Sequence, residues 1–296
     1  KNSDLLLFGE LHDNPIAHWL ELELTVDVFD ATKGNIILGA EMFETDNQLI
    51  LDEYLGGLIS QQRFEAEARL WPNYKTDYKP LVEFAKSKGL KFVATNIPRR
   101  YAAMVSAGGF DTLQSLSEMA KSFIAPLPVE YDPNLGCYKG MLSMMGMPGK
   151  GKSNPEYFPM AQAIKDATMA YNITRNTSSG KIFLHFHGSY HSNNYEGIYW
   201  YVKRKMPNLK IVTIATVTQD DVNAGEIVNT ATGDSDETEP VEDTETVEIE
   251  RTYSITTDKA LTDNADGDDS GSVTLGDVLT YTVTVNNTGN TTLSNV

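Results

Sequence analysis

Five short apolar runs recur along the first 219 residues: Leu5–Phe8, Ile36–Leu38, Leu90–Val93, Ile182–Leu184 and Ile211–Ile214. Each is too short for a helix and lacks the alternation of a half-exposed strand. This pattern predicts strands buried on both faces, as in a parallel sheet. Longer amphipathic stretches separate them: Pro15–Asp30, Trp71–Lys88, Pro159–Arg175 and Asn194–Lys205. Asn14 followed by Pro15 predicts a capped helix start. The alternation implies an α/β fold, a mostly parallel sheet with helices on both faces, built from right-handed crossovers. Residues 125–158 interrupt the rhythm with clustered prolines and glycines. That predicts a long insertion of the kind that forms a functional lid or stays disordered, with one short helical turn at Met141–Met147.

Beyond residue 219 the pattern changes. Val278–Val285 alternates apolar residues with threonine, and Ile227–Thr232 and Thr246–Ile249 are further strand candidates. The acidic run Asp234–Asp243 predicts a solvated loop or a disordered segment. Together these predict a small β-sandwich-like or partly disordered acidic tail. The expected divisions are 1–219 for the α/β domain, 220–250 for an acidic linker, and 251–296 for a β-rich piece.

Charge sharpens that boundary. The chain carries a net charge of −17, and residues 220–296 hold 18 of its 41 acidic residues against two basic ones, Arg251 and Lys259. The tail also lacks every Phe, Trp, Met, His and Cys. So acidic a surface argues against nucleic acid and anionic lipid as partners. The single cysteine, Cys137, rules out an internal disulfide and a cysteine zinc site. No apolar run reaches the roughly 18–20 residues of a membrane helix. The chain begins at Lys1, so membrane attachment is expected only through a lipid anchor lost from this form. The acidic segment Asp263–Asp269 lacks the full spacing of a calcium loop and predicts an ordinary acidic turn.

All five histidines fall in two segments, Gly9–His18 and His185–His191, each after an apolar strand. Beyond the carboxyl ends of parallel strands lies the ligand crevice of an open α/β sheet. Four strands should therefore deliver Glu10, His12, Glu41, Asn96, His187 and His191 to one edge. Histidine beside carboxylates suits metal ligation and acid–base work near neutral pH. His185 and His18 read more plainly as structural residues, the first inside a strand and the second on a first helical turn. Arg99 and Arg100 can pair the carboxylates or bind an anionic group. Glycine-rich phosphate loops and a Gly-x-Ser-x-Gly elbow are absent, so nucleotide binding and elbow-serine hydrolysis have no support.

The pair Gly9-Glu10-Leu11-His12 and Gly188-Ser189-Tyr190-His191 resembles the Gly-x-x-His signature of the erythromycin esterase/Tiki-like superfamily. The fuller set resembles the ChaN-type haem-binding uptake proteins, a lipoprotein family. It includes Phe8–Pro15, Gly39–Phe43, Asn96–Arg99, Leu127–Tyr131 and Gln162–Asp166, within about residues 3–217. The resemblance implies a haem cofactor, bacterial iron uptake, and export to the cell envelope or surface. It also implies a tyrosine as iron ligand, for which Tyr131 and Tyr138 are the candidates, with Arg99 and His187 as further haem-binding residues. Hydrolytic relatives imply instead a divalent metal or activated water held by Glu10, His12, Glu41 and His191. The tail, from Val217 through Thr232 and again from about residue 251, resembles parts of bacterial surface-protein repeats. Three readings follow: a haem carrier, a metal-dependent hydrolase, and an adhesion or stalk module. A homodimer is compatible with each.

Overall fold

The computed structural model describes residues 3–144, 156–235 and 238–294. Its N-terminal part is built on five parallel strands, β1 (Leu5–Glu10), β2 (Ile36–Glu44), β3 (Phe92–Asn96), β4 (Ile182–Gly188) and β5 (Ile211–Ala215). They lie in the order β3-β2-β4-β1-β5. All five apolar runs of the sequence are strands, and the helices between them are α1 (Pro15–Thr32), α2 (Gln48–Leu55), α3 (Gln61–Glu67), α4 (Lys79–Lys88), α5 (Arg99–Gly108), α6 (Glu118–Lys121), α7 (Gly136–Met144), α8 (Tyr157–Asn176) and α9 (Ile198–Lys205). Asn14 caps α1 as its sequence demands, its side chain accepting from the Ile16 and Ala17 N–H groups.

Alternation along the buried strands divides the core into two layers. Leu6, Phe8, Ile36 and Leu38 face α2, α3, α4 and the intervening Tyr74 and Tyr78. Leu5, Leu7, Ile37, Val93 and Phe183 face Met169 and Ile173 of α8 and Val202 of α9. A period of two thus sends successive side chains to opposite helical layers. The register aligns Gly9 with His187 and Glu10 with Gly188 between β1 and β4. Gly39 pairs with His185 between β2 and β4. The functional segments therefore end at one level.

Several boundaries differ from the sequence pattern. Glu41, expected just beyond a strand, lies inside β2, which runs on to Glu44 through a register shift. His187 likewise lies within β4. The stretch before α4 contains a π-helical turn, Tyr74–Tyr78, which aims both tyrosines into the core. The helical turn expected at Met141–Met147 belongs to α7, which starts earlier; residues 145–147 lie outside the described residues.

By its internal contacts the chain divides into one unit of 1–216 with 231–242 and another of 217–230 with 243–296. A short helix, α10 (Gln219–Ala224), is followed by β6 (Glu226–Ser235) and β7 (Thr238–Glu248), which pair in a two-stranded sheet. The acidic run expected as a loop is therefore strand over its described residues. In the second unit β8 (Ile255–Ala265) and β9 (Val278–Asn287) form an antiparallel hairpin. Leu261, Tyr281 and Val283 remain about half exposed on it. Over its described residues the β-rich tail thus consists of two two-stranded sheets. In the loop between β8 and β9, Asp266 accepts the Ser270 and Gly271 N–H groups. Asp277 accepts those of Gly267 and Thr274, the bonding of an acidic turn.

Gly39 marks where the sheet tolerates no side chain. A Cβ there would lie 2.7 Å from the Phe183 ring and 3.2 Å from Thr95 Cγ2. Gly39→Ala is expected to destabilise the domain by about 1–3 kcal/mol through overpacking. Urea unfolding of the two proteins measures it, and equal midpoints would refute the tight contact.

Candidate functional site

The carboxyl edge carries two buried ion pairs side by side. Glu10, the last residue of β1, is fully buried, and its Oε1 lies 2.5 Å from His12 Nδ1. Tyr78 donates its hydroxyl to the same oxygen at 2.7 Å. Burial opposes charge on Glu10, yet the imidazoles of His12 and His18 outweigh it and hold the carboxyl well below the ordinary range. Burial likewise opposes charge on His12, but Glu10 and Glu41 raise its pKa. The His12 side chain stays 42% exposed, with its edge against Trp71.

The second pair is deeper. His191 Nε2 lies 3.2 Å from Glu41 Oε1, and its Nδ1 lies 2.5 Å from Asp166 Oδ1 on α8. Although burial disfavours the imidazolium, the two carboxylates push its pKa up to about 10. They divide the work between them. Burial leaves Asp166 above its ordinary value, whereas Glu41, despite equal burial, is held low by His191 and the Gly188 N–H. That N–H donates to Glu41 Oε2 at 2.9 Å. Tyr138 donates to the other Asp166 oxygen at 2.7 Å.

The glycines of the two Gly-x-x-His segments serve close approach. A Cβ on Gly188 would sit 2.6 Å from His12 Nε2, and one on Gly9 would sit 2.7 Å from the Ser189 Cα. Neither adopts a left-handed conformation. They let the two histidine segments lie against each other.

His185 and His187 are wholly buried inside β4. Thr95 donates its hydroxyl to the Ala40 carbonyl at 2.9 Å, so its oxygen accepts from His185 Nε2 at 2.7 Å. His185 Nδ1 then accepts from His187 Nδ1 at 3.0 Å. Burial keeps both rings neutral, His187 down to about 3. His187 Nε2 has no hydrogen-bond partner.

A cavity of about 600 Å³ opens beside His12 and Glu41. Leu70, Trp71, Pro72, Ile97 and Phe158 supply apolar wall, and Arg99 and Lys165 supply positive charge. Asn96 lines it too. Glu10, His12, Glu41 and His191 thus gather at one edge, as the sequence pattern predicts. They are arranged as two ion pairs: among the described residues no three of them place ligand atoms within 4.8 Å of one another. Tyr131, Tyr138 and His187 do not line this cavity. Tyr138 is fully buried with its hydroxyl committed to Asp166, and Tyr131 packs against Phe110 and Tyr138. Arg99 keeps a hydrogen bond to Glu44 at 2.5 Å, pairing a carboxylate as expected, while it lines the cavity. Sequence reasoning missed Tyr78 and Trp71, and it quoted Lys165 and Asp166 only within the segment Gln162–Asp166 without assigning them to the site. Asp166 and Gln162 share a buried face of α8 at helical spacing, two polar residues among alanines, which is the signal that was available.

The His191 pairs make stability depend on pH. Its folded pKa, about 10, lies above the 6.5 of a free imidazole. The stabilisation is therefore complete below about pH 6.5 and is lost as pH rises towards 10. Urea midpoints are expected to fall between pH 7 and 10. His191→Gln, which strands two buried carboxylates, should cost about 3–5 kcal/mol at pH 7 and flatten part of that fall. An unchanged slope would refute the assignment.

Among solved structures, ChaN of Campylobacter jejuni, which binds haem cofacially, superposes with a TM-score of 0.52 at 17% identity. The match covers 72% of this chain and 81% of that one. It shows a shared fold. RRSP, a MARTX toxin effector domain from Vibrio vulnificus, aligns at a TM-score of 0.36 and 17% identity over 65% of this chain and 29% of that one. No curated protein matches the chain. The profile of the family described as haem-binding uptake, Tiki superfamily, ChaN matches residues 1–202 of the 296, and the chain belongs to that family.

Proposed function

We propose that this protein carries haem in the crevice beside His12, at the carboxyl edge of the sheet. The observation that supports this best is the cavity of about 600 Å³ whose walls are largely apolar and whose rim holds two cations. A haem carrier needs an apolar slot and an axial side chain, and small-molecule pockets fall in the range of roughly 300–1,000 Å³. Leu70, Trp71, Ile97 and Phe158 offer the slot, and Arg99 and Lys165 offer partners for the two carboxylates of haem. His12 would hold the iron. Its Nδ1 is tied to a buried carboxylate, the outer-shell bond that orients a metal-binding imidazole and raises its basicity. Haem held there would supply the iron centre, and the chain supplies orientation, burial and charge balance.

We extend the reading to iron uptake and to export into the cell envelope, which membership of a haem-binding uptake family supports. The hydrolase alternative draws less support. With His191 flanked by Asp166 and Glu41, the imidazole is held protonated at neutral pH and is a poor general base. Nor do the four residues proposed for a divalent metal converge on one point.

Haem titration followed at the Soret band tests the carrier reading. Wild type should bind with a spectrum of histidine ligation. His12→Ala should lose that spectrum, and Glu10→Gln should weaken binding about 10–100-fold through its loss as an outer-shell partner. Unchanged spectra and affinity in both variants would overturn the placement. Retention of a tyrosine-type spectrum would move the iron to another part of the chain.

A further inference from the structure

Only one oxygen of Glu10 faces His12. The other, Oε2, points to α1, where His18 and Glu21 stand one turn apart. His18 Nδ1 lies 3.1 Å from Glu10 Oε2 and 3.8 Å from Glu21 Oε2. The three side chains are between 0% and 2% exposed. Glu10 Oε2, His18 Nδ1 and both oxygens of Glu21 lack a hydrogen-bond partner. Buried polar atoms are rarely left so, and four in one place call for an occupant.

Donor bookkeeping says what kind. His18 Nε2 lies 3.0 Å from the His12 carbonyl oxygen, which can only accept, so Nε2 carries the ring hydrogen. Burial opposes charge on His18, yet Glu10 and Glu21 push its pKa up to about 10, so without an ion the one donor among the four atoms is a proton on Nδ1. A proton on Nδ1 would serve one oxygen and leave the others unpaired. A cation would contact all four atoms at once. The anchoring of Nε2 on a backbone carbonyl is also the usual outer-shell bond of a metal-bound histidine.

We propose that Glu10 Oε2, His18 Nδ1 and the Glu21 carboxylate bind one divalent transition-metal ion. One atom from each residue lies within 4.8 Å of the others, and bonds of about 2.0–2.2 Å would draw them closer together. Two-point binding by Glu21 completes four ligand atoms of nitrogen and oxygen, a closed set suited to zinc or manganese and to a structural role. The ion would clip the end of β1 to the first turns of α1. This site is separate from the four residues at the crevice edge except for Glu10, which would then have one oxygen on the ion and one on His12.

The test uses the full chain without haem, stripped by chelator while unfolded and refolded with Zn²⁺ or Mn²⁺. After desalting, elemental analysis should find one ion per chain, and the melting temperature should rise with metal concentration. Glu21→Gln and His18→Gln should each bind at least 100-fold more weakly, whereas Glu41→Gln should retain the ion. A wild-type chain with no bound metal and an unmoved melting temperature would overturn the proposal and assign the pocket to protons. Full binding by Glu21→Gln or His18→Gln, or loss of the ion in Glu41→Gln, would overturn the ligand set. The proposal does not rest on the haem reading, because metal content is read without haem and a Soret titration of the same samples reports on the crevice separately.

Discussion

Negative charge buried without water is the constraint that organises this domain. Glu10, Glu41 and Asp166 are each nearly inaccessible, and each lies against an imidazole. An isolated buried carboxylate would cost several kcal/mol, so the imidazoles are fixed in place by what they neutralise. Glycine at 9 and 188 follows from the same need, because the two histidine segments must touch for both pairs to fit. The tyrosine at 78 then adds a second donor to Glu10 Oε1, and the one at 138 satisfies the other oxygen of Asp166. The edge is rigid by electrostatics as much as by packing.

That rigidity separates two kinds of histidine. His191, facing two carboxylates, is held cationic, and the rings inside β4 are held neutral, although His187 and His191 are four residues apart. Residue type alone carries neither state. A ring in β4 has strands on both sides and only Thr95 and another histidine within reach, so burial decides. At the strand end, carboxylates from β2 and α8 decide instead.

The sheet and its helices were legible because each strand is buried on both faces and therefore reads as an unbroken apolar run. The gathering of Glu10, His12, Glu41 and His191 was legible for a related reason, since parallel strands in one layer must end at one edge. The inward role of His18 was not. Its place on a first helical turn says nothing about Glu10, which reaches it only because β1 ends beneath α1. Tyr138, offered by the resemblance as an iron ligand, is packed by α7 against α8 beside Asp166, a placement its position in a proline-rich insertion does not encode. The tail kept its β character, because alternation of apolar residues with threonine encodes a strand.

The order β3-β2-β4-β1-β5 has a consequence for synthesis. β1 forms hydrogen bonds only with β4 and β5, both of which come after residue 181. At roughly 5–20 residues per second, the run Leu5–Phe8 leaves the ribosome on the order of ten seconds or more before a strand exists to receive it. β2 can pair early with β3, but its other edge stays open until β4 inserts between it and β1. The centre of the sheet is thus its last part to close, and apolar strand edges stay unpaired on the nascent chain meanwhile, the condition under which aggregation competes with folding.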